Sequence, residues 1–233
     1  MKLYGDRGSS NTRRVLTVAM HESLDVDFTL VNLFAGENRT ESYLALNPNG
    51  TIPTLTDGVV VLFEASAIAI YLAERSGSSL WPSGTARVDV LKWMFWAAEH
   101  FRRGPAVLID ERFIHRLQGR EEDPVLVADA LRSIRRYAQV LDDHLRDRAF
   151  VVGDTPTLAD IDLAAPFSHV LRTRAPFGDY PHLSAWHARL LDTIPAWRRT
   201  GEDLERRIVE IEAAFASGRY RRRPASQEAG APA

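Results

Sequence analysis

Apolar positions change their period at a few well-marked points along the chain. Short strand-like runs at Lys2–Tyr4 and Asp27–Leu33 predict two strands. Between them, Val15, Leu16, Ala19 and Met20 recur at helical spacing within Thr12–Glu22 and predict an amphipathic helix. Thr54–Thr56 and Val59–Phe63 flank Asp57-Gly58, a dipeptide suited to the positive φ angles of a hairpin turn. Glu64–Arg75 then returns to a helical period. The order βαβ followed by ββα predicts an α+β unit, a mixed four-stranded sheet covered by helices.

The stretch SGSSLWPSGT, residues 76 to 85, is rich in Gly, Ser and Pro and marks a domain boundary. Beyond it the pattern is helical. One helix is expected from about Ala86 into the region of Arg116, interrupted near Gly104-Pro105. Another is expected over Pro124–Arg148, with Leu131, Ile134, Ala138, Leu141 and Leu145 at core spacing. A third starts at Thr157, and shorter ones follow over Leu183–Asp192 and after Pro195. The reading is therefore an α+β domain over 1–77, an all-α domain over 86–217, and an unstructured tail over 218–233 (GRYRRRPASQEAGAPA).

Composition narrows the function classes mainly by exclusion. In 233 residues the net charge is -2, so no global charge favours nucleic acid or a membrane surface. No segment approaches the length of an apolar membrane span, and MKLYGD begins without an apolar signal core; a cytoplasmic protein is expected. There is no cysteine, hence no disulfide, no thiolate metal site and no cysteine nucleophile. Any thiol chemistry must use a thiol carried by the ligand. The histidines show no metal-ligand spacing, and no metal is expected.

Three places in the first 75 residues carry chemistry. Ser9, Ser10 and Asn11 follow a strand and open a helix; a hydroxyl there either caps the helix or donates to an anion favoured by the helix dipole. Ile52-Pro53 enters a strand; a cis bond would turn the Ile52 backbone outward for a peptide to pair with, while a trans bond would be an ordinary strand start. Glu64, Ala65 and Ser66 open the next helix, where Glu64 is either an acidic helix start or the acceptor for a ligand ammonium, and free N–H groups suit a carboxylate.

Taken together, LYGDRGSSNTRRVL at 3 to 16, AGENRTESYLALNPNGTIPTL at 35 to 55 and LFEASAIAIYLAE at 62 to 74 resemble the glutathione transferase superfamily. The likeness is to its serine-type, phi-like and related bacterial members, and covers nearly the whole N-terminal domain. It implies a thioredoxin-like fold and glutathione as co-substrate. Ser9 then holds the glutathione thiolate, with Ser10 and Asn11 as the neighbouring candidates. Asn38 and Arg39 meet the glycine carboxylate. Thr51, Ile52 and a cis Pro53 present the backbone to the cysteinyl unit, and Glu64, Ala65 and Ser66 hold the γ-glutamyl end. The family usually has Glu-Ser where this chain has Glu64-Ala65. The missing hydroxyl bond to a charged group is worth about 1.5–3 kcal/mol, unless Ser66 takes its place.

In the second half, Thr157 and Asp160 fit a capping box and are assigned to folding. Trp93, Trp96, His100 and Arg103 fall on one face of the long helix; they either pack as core or line the acceptor pocket that the resemblance places there. The leading expectation is a homodimeric detoxification enzyme that adds glutathione thiolate to an apolar electrophile. The alternatives are a glutathione-dependent isomerase, peroxidase or dehalogenase, and a non-catalytic binding module, which Ala65 would favour.

Overall fold

The computed structural model describes residues 1–220. Its first part is β1 (Lys2–Gly5), α1 (Ser10–His21), β2 (Asp27–Leu30), two 3₁₀ turns (Leu33–Ala35 and Glu37–Arg39), α2 (Glu41–Leu44), β3 (Thr54–Asp57), β4 (Val60–Phe63) and α3 (Ala65–Ser76). The sheet order is β2-β1-β3-β4. β1 pairs parallel with β2, and β3 pairs antiparallel with β1 and with β4. The expected mixed four-stranded sheet is thus present. β2 stops at Leu30 because Asn32 caps the next turn, its Oδ1 accepting from the N–H groups of Phe34 and Ala35 at 3.1 and 3.2 Å.

The remainder is helical: α4 (Gly84–Trp96), α5 (Arg103–Ile109), α6 (His115–Gln118), α7 (Pro124–Leu145), α8 (Leu158–Ala164), α9 (Val170–Thr173), α10 (Pro181–Thr193) and α11 (Pro195–Ala216). The expected long helix from residue 86 to 116 is interrupted twice by π-helical turns, Ala97–Phe101 and Asp110–Ile114. Gly104 and Pro105 lie in the first turn of α5, where proline's missing N–H leaves no helical bond unmade. A Cβ on Gly104 would lie 2.9 Å from the Ala130 carbonyl oxygen, so this glycine is where α5 closes on α7.

One continuous apolar core joins both parts, from Leu3, Val15, Leu55 and Leu72 to Ile134, Leu163 and Trp186. A smaller cluster, Phe113, Leu117, Leu204, Ile208 and Ile211, sits apart from it. The capping box at α8 is formed: Asp160 accepts from Thr157 N–H at 2.8 Å, and also from Val151 N–H at 2.9 Å and Trp186 Nε1 at 2.8 Å.

The helix α1 is buried on two sides. Val15, Val18 and Ala19 join the core, while Arg13 and Arg14 are also buried. Arg13 stacks on Trp197, 3.5 Å from the ring centre, and donates to the Trp197 carbonyl at 2.6 Å and to Ser168 Oγ at 2.9 Å. A Cβ at Gly201 would meet Arg13 Nη2 at 2.7 Å, so α11 approaches α1 closely at this point.

Residues 218–220, the start of the tail expected to be unstructured, are within the described residues. Tyr220 packs on Phe34 and Phe215 with ring centres 5.6 and 5.4 Å away, and its hydroxyl accepts from Asn32 Nδ2 at 2.6 Å. The rest of that stretch, residues 221–233, lies outside the described residues.

Burial pushes His169 down to about 3, helped by the cations of Arg172 and Arg13. Burial and Arg13 push His187 down to about 4. Both are neutral in the fold at pH values where an unfolded histidine, with a pKa of about 6.5, takes up a proton. The unfolded state then binds more protons, so stability falls as pH drops below about 6.5. Urea unfolding at pH 7.5 and 5.5 should show a loss of about 1 kcal/mol or more per histidine, and His187→Gln should flatten that dependence. An unchanged midpoint between the two pH values contradicts the neutral burial of these side chains.

Candidate active site

Ser9 leaves the strand–turn that follows β1 in an extended conformation and caps α1. Its Oγ accepts only a long bond from Thr12 N–H, 3.4 Å. The hydroxyl proton has no acceptor among the described residues, and Ser9 and Ser10 both line a cavity of about 220 Å³. Ile52 forms part of the same wall. The Ile52-Pro53 bond is cis, and Thr51 just before it is held by Tyr43 Oη and Asn47 Nδ2, which donate to its carbonyl at 2.7 and 2.8 Å. The Ile52 side chain is buried with Val31 and Tyr43.

Asn38 and Arg39 lie in the second 3₁₀ turn and line a neighbouring cavity of about 320 Å³. Asn38 Nδ2 donates to the Gly50 carbonyl at 2.6 Å. Gly50 has φ +61°, and a Cβ there would lie 2.9 Å from Arg39 Nη1. This glycine therefore provides both the turn and the room for Arg39. Asn32, which caps the turn before, is the residue bound by Tyr220.

Glu64 has φ 68° and ψ 111°, a region that costs a non-glycine residue about 1–3 kcal/mol. Its side chain is exposed and lines a third cavity, about 380 Å³, with Ser10, Asn11, Arg102 and Arg103. Strain of this kind points toward function, because α3 could start after an unstrained residue just as well. Ala65 is buried at the first position of α3.

The Ser66 hydroxyl already has partners. Its Oγ donates to Asp162 Oδ1 and accepts from Arg14 Nη1, both at 3.0 Å. The side chain is committed to the contact between the two parts of the molecule. The backbone N–H groups of Ala65 and Ser66, unused by the helix at its first turn, remain.

Behind this cavity lies a buried network. Asp162 on α8 pairs with Arg14 through Oδ1 and with Arg102 through Oδ2. Asn11 Oδ1 accepts from Arg14 Nη2 at 2.7 Å. Burial and the nearby Arg102 cation push the Arg14 guanidinium down, and Glu64 opposes this. Burial takes Arg102 down to about 10, again with Glu64 opposing. None of Arg14, Arg102 or Asp162 stood out from the sequence, where TRR and DID carry no periodic signal for burial.

The aromatic face of α4 points elsewhere. Trp93 packs on His144 at 4.4 Å, and Trp96 and His100 pack on Tyr137 at 5.8 and 5.1 Å. Trp93 and Trp96 on α4, and His100 in the π-turn after it, thus meet side chains of α7, while Arg103 lines the cleft. An apolar wall of the Ser9 cavity is built by Phe34 from the first 3₁₀ turn, by Phe113 and Ile114 from the π-turn after α5, and by Ile208 and Ile211 from α11.

A family model for the glutathione S-transferase N-terminal domain matches residues 8–75, and one for the C-terminal domain matches residues 101–192. A glutathione S-transferase of Hyoscyamus muticus is 30% identical over 87% of this chain and 98% of its own length. Glutathione S-transferase 3 of Zea mays is 32% identical over 86% of this chain and 92% of its own. A theta class glutathione S-transferase of Xanthomonas axonopodis pv. citri, solved with glutathione bound, superposes with a TM-score of 0.78 at 31% identity, covering 85% of this chain and 95% of that one. The chain belongs to the glutathione S-transferase family, and the enzyme class expected from its N-terminal motifs is the one its relatives carry.

The Asp162 network gives a sharp expectation. Asp162→Ala strands the buried Arg14 guanidinium and the part-buried Arg102 guanidinium and should cost about 3–5 kcal/mol in urea unfolding. A loss below about 1 kcal/mol shows that the two parts are held together by their apolar contact alone.

Proposed function

We propose that this protein conjugates glutathione to apolar electrophiles, with Ser9 as the residue that stabilises the thiolate. The observation that carries the reading is the free Ser9 hydroxyl at the N-terminus of α1, on the wall of a cavity it shares with Ile52. Ser9 accepts weakly from its own helix and keeps its proton to donate. The positive end of α1 adds to the same effect. The thiolate then gives an electron pair to an electrophilic carbon, the S–C bond forms, and the leaving group departs with its bonding pair. Proximity of two bound reactants supplies the rest of the acceleration.

In this reading the α+β part, 1–77, binds glutathione and the helical part, 86–217, binds the acceptor. Asn38 and Arg39 take the glycine carboxylate, and Thr51, Ile52 and Pro53 present the backbone to the cysteinyl unit. Glu64 takes the γ-glutamyl ammonium. The carboxylate beside it meets the N–H groups of Ala65 and Ser66 and the Arg103 side of the cavity, in place of a hydroxyl at 65. A homodimer fits the exposure of Val61 and Phe63 on β4 and of Val88 and Phe95 on α4, the last two 64% and 65% exposed. Among the described residues no helix is long and apolar enough to cross a membrane, in keeping with the cytoplasmic role in detoxification that we infer.

Ala65, with Ser66 turned inward, supports one competing reading, a family member that binds partners without turnover. Calorimetry separates them: micromolar glutathione binding favours the enzyme, and no binding at millimolar ligand favours the module. Ser9→Ala should lower kcat/KM about 10- to 100-fold and raise the thiol pKa of bound glutathione, read from thiolate absorbance, while Ser10→Ala changes either by less than about threefold. Unchanged thiolate absorbance in Ser9→Ala removes Ser9 from the mechanism, and loss in Ser10→Ala alone moves the role by one residue.

A further inference from the structure

The acceptor side holds one charged group that neither the fold nor the thiolate chemistry employs. Asp110 opens the π-helical turn Asp110–Ile114, and it lines all three cavities of the cleft. It therefore stands where the Ser9 cavity, the Arg39 cavity and the Arg103 cavity meet. Its side chain faces the cleft and is exposed. Its carboxyl makes no hydrogen bond or ion pair with the described residues, although ion pairs are common across the surface of this protein. Turns of this type recur at functional sites, since the extra residue re-aims side chains that a regular helix would direct elsewhere.

The other carboxyl on the apolar cavity is engaged, and the remaining polar groups there are neutral. Both oxygens of Asp6 accept from Arg207, at 2.9 Å each, and Oδ1 also accepts from Gly8 N–H. His169 is buried and neutral. Ser9 and Ser10 are uncharged. Across the neighbouring cavities Arg39 and Arg103 face the same junction without reaching ion-pair distance of Asp110, and Arg102 is engaged by Asp162. On Asp110's own segment the charges of Glu111 and His115 act on it. What remains toward Phe34, Phe113, Ile114, Ile208 and Ile211 is an apolar wall with one free carboxyl at its rim.

We propose that Asp110 makes the acceptor site charge-selective: it favours aromatic or aliphatic acceptors bearing a cationic or hydrogen-bond-donating group, and rejects acceptors bearing a carboxylate. An unpaired carboxylate beside apolar surface is better solvated by a ligand ammonium or hydroxyl than by the ring that displaces its water. A ligand carboxylate there meets like charge in a site of lowered dielectric. The inference rests on the reading of the apolar cavity as the acceptor site, but the charge preference itself is measurable without turnover.

The test is calorimetry on the full-length protein without glutathione, using two probes of one shape, biphenyl-4-ylmethylammonium and biphenyl-4-carboxylate, at low salt. The wild type should bind the ammonium about tenfold more tightly than the carboxylate, as expected for one charge-assisted contact. Asp110→Asn should bring the two within about twofold. Equal binding of the probes by the wild type, binding of neither, or a preference that survives in Asp110→Asn overturns the proposal. Glutathione titrated in parallel keeps the two readings distinct: its failure to bind removes the transferase, while the probe ratio alone judges Asp110.

Discussion

The carboxylate of Asp162 is the constraint on which the cleft depends. It sits on α8, with 3% of its side chain exposed, and is gripped by Arg14 from α1 and Arg102 from the start of the α5 segment. Ser66, at the start of α3, closes the set. The two helix N-termini that face the cleft in the α+β part are thereby pinned to one residue of the helical part. Two guanidinium groups on one carboxylate leave a net positive charge beneath the cavity that Glu64, Arg102 and Arg103 line. A buried arrangement of this kind contributes little net stability over apolar packing, but it is intolerant of losing a member. Its value here is geometric: it sets the distance between the N-terminal end of α1, where Ser9 stands, and the helices opposite.

The two parts contribute chemistry of different kinds. The α+β part offers main-chain groups and short polar side chains: Ser9, the Ile52 backbone, Asn38 on the Gly50 carbonyl. The helical part offers an apolar wall. That wall comes from the small cluster of Phe113, Ile208 and Ile211, which stands apart from the main core. Side chains there can vary without disturbing the packing of Trp186, Leu163 and Ile134, so the wall can change its shape while the α+β part keeps its own groups.

The legible and illegible parts of the sequence divide along physical lines. Strands, the hairpin at Asp57-Gly58, the N-terminus of α1 and the capping box at Thr157 were legible, because each is set by residues within about four positions of one another. The face of α1 bearing Arg13 and Arg14 was not, because two arginines on a helix read as solvent-facing until a distant carboxylate and Trp197 are known to cover them. The α4 aromatics illustrate the converse. Trp93, Trp96 and His100 share a face, but which neighbour that face meets depends on α7, some forty residues on. Asp110 was hidden for a third reason: helical periodicity cannot register a π-turn, since the extra residue shifts the phase that the periodicity measures.

Three cleft-side segments of the α+β part are each tied by one side chain far away in sequence. Asp6, beside Ser9, is held by Arg207; Arg14, beside Asn11, by Asp162; and Asn32, which caps the turn leading to Asn38 and Arg39, by Tyr220. The separations are 201, 148 and 188 residues. Closing such long loops is expensive if each is closed alone, but the cost grows only as the logarithm of length and is met once, when the two parts dock through their shared core. After docking, each further tie closes almost no additional chain. The loops that carry these ties can therefore be short, polar and poor in packing of their own, because the helical domain supplies their order. Opening the contact between the two parts releases all three ties together, so the integrity of the site and the docking of the domains stand as one property of the molecule.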